Sequence, residues 1–500
     1  MRIRMRRTPV GVVVAVLAVA LGALPALGQS LQGELDILLS HSNLRSSEIG
    51  VMLFDPRSRK VLAEQAPNRR FIPASNMKLI TSGAALAVLG KDYKFRTRLV
   101  RDGNTLYVIG GGDAGFGDPK VLNKMGMDVE DLFAAWVSAV RESGFVDDPE
   151  PIREIVIDDR WFDDEVVHPD WPRDQLNRWY CAEVSGLNFF TNTLAIYPSP
   201  TSRGEAPTVE AEPFAPWYVI RNRAVTSKTG SNTIWVSRPN DDNEMTLFGD
   251  VRWKAREPVW VTVHDMPMIF GRLLSDRLND AKLGRPSVRR ASATENLPEG
   301  ETIAVVETPM EMALERCNTD SYNLYAESLL KTIAREVTGQ PGSWNSGSAI
   351  LRMVMEERLG PGNASQLVAA DGSGMSRNNG VTPHLLSAWL ANLYEDLELR
   401  DVFLSSLARP GETGTLRKRF KQNRPNHAVY AKTGYLNGVS TISGYVIDER
   451  SGAAVVFSVL VNDIPSKVPI ARVKDMQERI VLLADGWLGP AAPRAAVSDN

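Results

Sequence analysis

Apolar positions along the chain change period several times, and each change marks an element. Residues 31–39 carry apolar side chains at helical spacing and predict a helix. Residues 49–55 read as a buried strand, 56–60 as a polar turn and 61–65 as a second strand, which together predict a hairpin. Steps of three and four return at Met77, Ile80, Ala84, Ala85, Val88 and Leu89. A helix is therefore predicted to open at Pro73, whose fixed φ suits a first turn, and to stop at Gly90. From about Tyr93 the texture turns to short β-like runs at 95–101, 105–110 and 154–158, around an amphipathic helix at 129–143. Further strands are predicted at 194–197, 217–220, 233–236 and 259–263, a helix at 267–279, and a linker at 296–300. Helical spacing resumes at 309–314 and again from Tyr322 to about Val337, with Asn318-Thr-Asp-Ser321 as the cap. Two more helices follow at 347–358 and 384–398. Residues 428–432, 439–448 and 453–462 predict three successive antiparallel strands, and 471–488 a closing helix laid on them, so the end of the chain is α+β.

Composition adds address and exclusions. Five hundred residues are too many for one core, and 43% hydrophobic with 23% charged residues is the balance of a globular protein of two or three domains. Residues 1–28 stand apart: Arg2, Arg4, Arg6 and Arg7 precede an apolar run over 10–24, and Ala26-Leu27-Gly28 offers small residues for a cut before Gln29. That is the pattern of a secretory signal peptide; the alternative, an uncleaved anchor, has to accommodate Pro9, Gly11, Gly22 and Pro25 in a short run. No other stretch is long and apolar enough for a membrane span, so none is expected after signal removal, and an exported, periplasmic location is expected. Losing four arginines moves the formal net charge from −3 to −7, which argues against a nucleic-acid partner. Cys181 and Cys317 could form one disulfide or remain as buried thiols. The five histidines, His41, His168, His264, His384 and His427, show no metal-ligand spacing, so no metal is expected. The glycine-rich stretch 110–117 lacks both the Walker lysine and the Rossmann spacing, and reads as a tight turn rather than a phosphate cradle.

Candidate chemistry begins in the first turn of the helix after Pro73. Ser75 and Lys78 stand three apart, on one face. A serine hydroxyl needs a nearby base, and a partly buried amine beside other cations can have its pKa lowered enough to serve. The helix N-terminus adds N–H groups where an oxyanion would form. Ser321 and Asn323, two apart at a predicted helix start, offer a proton-relay hydroxyl and an amide for the substrate's own amide. Lys432-Thr433-Gly434, read as the end of a strand, offers a cation and a hydroxyl for a terminal carboxylate, with a glycine that lets substrate lie close. The N–H of Tyr435 with that of Ser75 would complete an oxyanion hole. Ser-x-x-Lys, Ser-x-Asn and Lys-Thr-Gly are the motif set of serine acyl-transferases that take D-alanyl-D-alanine and β-lactams. Decoys exist at Lys228-Thr229-Gly230, Ser343–Asn345, Ser376–Asn378 and Ser498–Asn500, and chain order together with context selects Lys432 and Ser321.

With Gly110-Gly-Gly-Asp113, Asp371-Gly-Ser-Gly-Met-Ser-Arg377, Gly414-Thr-Leu-Arg417 and Ser443-Gly-Tyr445 also in order, the chain resembles the D-alanyl-D-alanine carboxypeptidase/endopeptidase family, the class C low-molecular-mass penicillin-binding proteins. The resemblance covers nearly everything after residue 28. It implies an α+β fold: a β-lactamase/transpeptidase-like domain with a large inserted β-rich region of one or two subdomains. The expected division is 1–28 signal peptide, 29–92 first part of the catalytic domain, 93–205 and 206–301 inserted domains, 302–489 second catalytic part, and 490–500 tail. Implied roles are Ser75 as acylated nucleophile, Lys78 as base, Ser321 and Asn323 for relay and orientation, and Lys432 and Thr433 for the carboxylate, with Arg377 lining the groove. Substrates would be peptidoglycan stem peptides and cross-links, β-lactams would be inhibitors, and no cofactor is needed. Tyr435, where Ser or Thr is frequent, and Met375, where Leu is usual, are the departures. The alternatives are a non-catalytic peptidoglycan- or β-lactam-binding protein and a β-lactamase-like hydrolase.

Overall fold

The computed structural model describes residues 30–143, 151–298 and 300–490. The signal-peptide expectation and nearly all of the expected tail therefore lie outside the described residues. A five-stranded antiparallel sheet is built from both ends of the chain. Its strands are β1 (Glu48–Asp55), β2 (Lys60–Gln65), β3 (Ala428–Leu436), β4 (Val439–Asp448) and β5 (Ala453–Asn462), in the order β3-β4-β5-β1-β2. The pairing of Val51 with Val459 joins the N-terminal hairpin to the C-terminal meander.

Both faces of this sheet are covered, so β4 is buried at every position but its last and β5 at every position but its first. On one face α1 (Leu31–His41) and α5 (Ile470–Trp487) bury Leu35, Val473 and Ile480 against Val455, Phe457 and Val459. On the other, Val456 and Leu460 join a larger core with α2 (Met77–Leu89), α3 (Asn323–Thr338) and α4 (Pro383–Glu395). At its centre the Trp389 ring is fully buried, and its Nε1 donates to the Leu79 carbonyl 3.0 Å away. Gly83 leaves the room: a Cβ there would lie 2.9 Å from Trp389.

After α2 the chain leaves this core and returns to it by a strand that pairs with the one it left on. Lys94–Asp102 and Glu301–Pro309 are antiparallel neighbours in a second five-stranded sheet, with Thr105–Gly110, Glu154–Asp158 and Ser287–Arg290. Helices Val129–Glu142 and Met266–Asp280 pack on it around Phe116, Phe133, Trp136, Phe189 and Phe270. Three smaller sheets of two or three strands lie within residues 193–262. The expected fold class holds, an α+β sheet unit with a large β-rich insertion.

Among the places where local readings differ, four stand out. The strand at 428–432 runs on to Leu436, because its hairpin with β4 stays paired as far as Leu436 with Val439; Lys432-Thr433-Gly434 is therefore mid-strand. Residues 318–321 cap nothing: Asn318 ends the helix Met310–Asn318, Ser321 adopts φ +63°, and α3 begins at Asn323 without a side-chain cap. The strand expected at 217–220 starts only at Ile220. The strand Glu301–Pro309 was not expected at all, since its mostly half-exposed positions do not alternate cleanly.

Replacing Trp389 with alanine removes one of the three tryptophan rings of this core and leaves a cavity. The expected loss is roughly 3–5 kcal/mol, read as a lower midpoint of denaturant unfolding.

Candidate active site

Three separated stretches of chain meet where α2 begins. Ala74–Asn76 form one 3₁₀ turn that leads into α2, so Ser75 sits half-buried on the turn and Lys78 one turn further in. The turn lies against the edge strand β3. Asn76 Nδ2 donates to the Lys432 carbonyl at 2.8 Å, and Thr441 Oγ1 donates to the Pro73 carbonyl at 2.9 Å. Gly434 permits this approach, since a Cβ there would fall 2.8 Å from the Ser75 nitrogen and 2.3 Å from Thr441 Oγ1. Ala74, at φ +46°, is in a region that a residue with a Cβ enters at a cost.

The Lys78 ammonium is fully buried. It donates to Asn323 Oδ1 at 2.6 Å, to the Ser373 carbonyl at 2.9 Å and to Ser75 Oγ at 3.2 Å. None of these acceptors carries a formal charge. Loss of water therefore dominates and pushes the amine down from 10.5 to about 8, with the more distant Glu327 and Asp371 opposing. Lys432 is equally buried and donates to Ser321 Oγ at 2.7 Å and to the Thr433 carbonyl at 2.7 Å. Burial first, and Lys78 second, push its amine well below the usual lysine range. Two amines thus share one dry pocket, each with a serine hydroxyl in hydrogen-bond reach.

The surrounding loops are held by carboxylates rather than by apolar packing. Glu327 of α3 is fully buried and accepts from the Gly372 and Ser373 N–H groups and from Trp344 Nε1, at 2.7–2.8 Å. Burial, and then Asp371, raise its pKa. Asp371 itself accepts from Gly374 N, Ser376 N, Asn379 Nδ2 and Trp171 Nε1. These bonds set the loop 371–377 so that the Ser373 carbonyl faces Lys78. Gly374, at φ +83°, lies so close to the strained turn that a Cβ would meet the Ala74 oxygen at 1.8 Å. The insertion contributes as well: the Tyr180 carbonyl accepts from Asn323 Nδ2 at 2.7 Å.

Of the residues singled out in the sequence, Ser75, Lys78 and Asn323 are joined directly, Lys432 and Ser321 form the second pair, and Gly434 backs Ser75. Thr433 Oγ1 donates to Thr415 Oγ1 at 2.8 Å. Tyr435 turns its side chain to solvent, while Arg377 is exposed and donates to the Asn437 carbonyl on the turn that follows it. Among the decoys, Lys228 is exposed on a bend, and Ser343 caps the helix Trp344–Leu359. Ser376 and Asn378 both bond Asp170. Ser498–Asn500 lie outside the described residues. Cys181 and Cys317 are both buried free thiols. Among the described residues, no group of His, Cys, Asp and Glu could hold a metal ion, and no helix is long and apolar enough to cross a membrane. Sequence reading gave no role to Thr415, Glu327, Ser373 or Tyr180. Thr415 carried a signal, a hydroxyl in the quoted Gly-Thr-Leu-Arg stretch; a backbone carbonyl carries none.

Comparison with known proteins gives this arrangement a family. The family model described as D-Ala-D-Ala carboxypeptidase 3 (S13) matches residues 31–485. A D-alanyl-D-alanine carboxypeptidase of Actinomadura sp. (strain R39) is 29% identical, over 95% of this chain and 89% of its own. A penicillin-sensitive carboxypeptidase A of Dictyostelium discoideum is 24% identical, over 83% of this chain and 81% of its own. Among solved structures, penicillin-binding protein 4 of Haemophilus influenzae superposes with a TM-score of 0.72 at 19% identity, covering 89% of this chain and 98% of that one. The chain belongs to the D-Ala-D-Ala carboxypeptidase 3 (S13) family and is a serine peptidase.

The loop geometry predicts a contrast between two glycines of positive φ. Gly374→Ala is expected to cost more than about 2 kcal/mol, because the new methyl collides with the Ala74 carbonyl. Gly411→Ala has nothing within 4 Å and is expected to cost about 1 kcal/mol. Denaturant unfolding of the two variants measures both.

Proposed function

We propose that this member of the D-Ala-D-Ala carboxypeptidase 3 (S13) family is a D-alanyl-D-alanine carboxypeptidase and D,D-endopeptidase of peptidoglycan, working through an acyl-enzyme on Ser75. The observation that carries the reading is the buried Lys78 amine, lowered to about 8 and 3.2 Å from Ser75 Oγ. At neutral pH a useful fraction of such an amine is unprotonated and able to accept a proton.

In the first half-reaction Ser75 Oγ bonds to the carbonyl carbon of the penultimate D-alanine and its proton passes to Lys78 Nζ. The carbonyl oxygen becomes an oxyanion held by the N–H groups of Ser75 and Tyr435. Tyr435 is on the edge strand, where alternate N–H groups face away from β4. Collapse re-forms the carbonyl and breaks the C–N bond. The proton on Lys78 passes to the leaving amine by way of Ser321 Oγ, which Lys432 holds at 2.7 Å, so Lys78 is neutral again. Asn323 orients the substrate amide, Lys432 and Thr433 receive the terminal carboxylate, and Arg377 lines the groove. An arriving carboxylate also restores the charge of Lys432, which burial alone disfavours. Water then attacks the ester and gives its proton to Lys78, which returns it to Ser75 Oγ as that oxygen leaves. A cross-link enters the same steps with a diaminopimelyl amine as leaving group. β-Lactams acylate Ser75 and stay, in keeping with a relative named penicillin-sensitive.

Labelling of residues 29–500 with a fluorescent penicillin tests the nucleophile. A covalent band is expected in the native protein and in Ser227→Ala, beside the decoy, and none in Ser75→Ala. A band that survives Ser75→Ala, or a folded native protein without one, would sink the acyl-enzyme. The base is tested by pH. Because Lys78 must be neutral to act, the second-order labelling rate is expected to rise about tenfold per unit below pH ~8 and to stop rising above it. A rate that is flat from pH ~6 to ~10 contradicts the assignment of Lys78 as base.

A further inference from the structure

The segment after Ala408 follows the free edge of β3. Ala408 and Ala431 exchange backbone hydrogen bonds as an isolated bridge, and Thr415 reaches Thr433. Beyond that contact the chain reads Arg417-Lys-Arg-Phe-Lys-Gln-Asn-Arg424, five cations in eight residues without an acid, in a protein of net negative charge. It lines a groove of about 600 Å³ at the start of β3, walled on the far side by residues 447–450. Six Lys and Arg side chains line the groove against three acids, Glu412, Asp448 and Glu449. Those acids are already engaged: Glu412 with Arg409, Asp448 with Ser451, and Glu449 with the Tyr430 hydroxyl. Arg417, Lys421 and Arg424 are exposed and have no carboxylate partner among the described residues.

Resting on the function proposed above, we infer that this groove is a second binding site, for the carboxylates of a stem peptide adjoining the one in the active site. Position favours this occupant. Ala428 at the groove and Thr433 at the active site are five residues apart on one strand, about 17 Å, so one extended polymer can touch both. Charge favours it too, because stem peptides carry several carboxylates per repeat, and Arg417, Lys421 and Arg424 in a concave groove concentrate such a ligand. Arginine also offers a planar fork that pairs with carboxylates in two-point fashion. The active site then sets which bond is cut, and the groove favours polymer over free peptide.

Insoluble peptidoglycan, freed of attached phosphate polymers, is the probe. In low salt the Ser75→Ala protein is expected to co-sediment with it. Adding Lys421→Glu and Arg424→Glu should weaken that binding about tenfold, and amidating the carboxylates of the polymer should do the same. Penicillin labelling of Lys421→Glu/Arg424→Glu on the native background is expected to stay within about twofold of native, which reports an intact fold. Equal sedimentation by the charge-reversed and parent proteins overturns the inference, as does undiminished binding to amidated polymer. If charge reversal abolishes binding to anionic phospholipid vesicles but leaves peptidoglycan binding unchanged, the groove serves a membrane surface instead, and the inference falls. Sedimentation needs no turnover, so its failure is distinct from a failure of the penicillin labelling.

Discussion

A lysine amine shut away from water, with only neutral acceptors in direct contact, is the constraint on which this site depends. Lys78 cannot be placed there by its own helix, because its three acceptors come from the turn before α2, from α3 and from the loop 371–377. Bringing these together excludes solvent, and solvent exclusion is what lowers the amine to about 8. The arrangement opposes folding. A pKa of about 8 in place of 10.5 destabilises the native state by about 3 kcal/mol at neutral pH. The unfolded chain holds the extra proton between those two values, so the penalty fades as pH rises from about 8 towards 10.5. The large apolar core behind α2 offsets it.

Backbone strain accompanies the buried charge. Ala74 and Ser321, one beside Ser75 and the other holding Lys432, both have φ between +45° and +65°. Such residues persist where their surroundings leave no alternative. Around Ala74 those surroundings are Gly374 and Gly434, two positions where a methyl group would collide with the turn. The carboxylates of Glu327 and Asp371 then lock the Gly374 loop through backbone N–H groups, a stiffer arrangement than apolar contact would provide.

The insertion is more than an appendage. Its strands and aromatic cluster form a separate core, yet single groups from it reach inward: the Tyr180 carbonyl to Asn323, Trp171 to Asp371, and Asp170 to Ser376. A wall of the site is thus built from a stretch of chain that carries none of the three motifs.

Local pattern alone determined the long elements. The apolar run of 453–461 in β5, broken only by Ser458, and the periodicity of α2 are strong because burial dictates each position. Motif spacing and order likewise singled out Ser75, Lys78, Ser321, Asn323 and Lys432 as candidates, since residue type and separation limit which chemistry is available, and the fold brings them together in two bonded groups. What the sequence could not determine was anything set by contact between distant segments. Whether Lys432 ends its strand depends on the register with β4, and whether residues 318–321 cap a helix depends on a left-handed turn at Ser321. The carbonyls of Ser373 and Tyr180 act through backbone atoms that every residue possesses. The depressed pKa of Lys78 belongs to a pocket made by three segments. These are properties of contacts between segments far apart in the chain, and only the tertiary fold creates them.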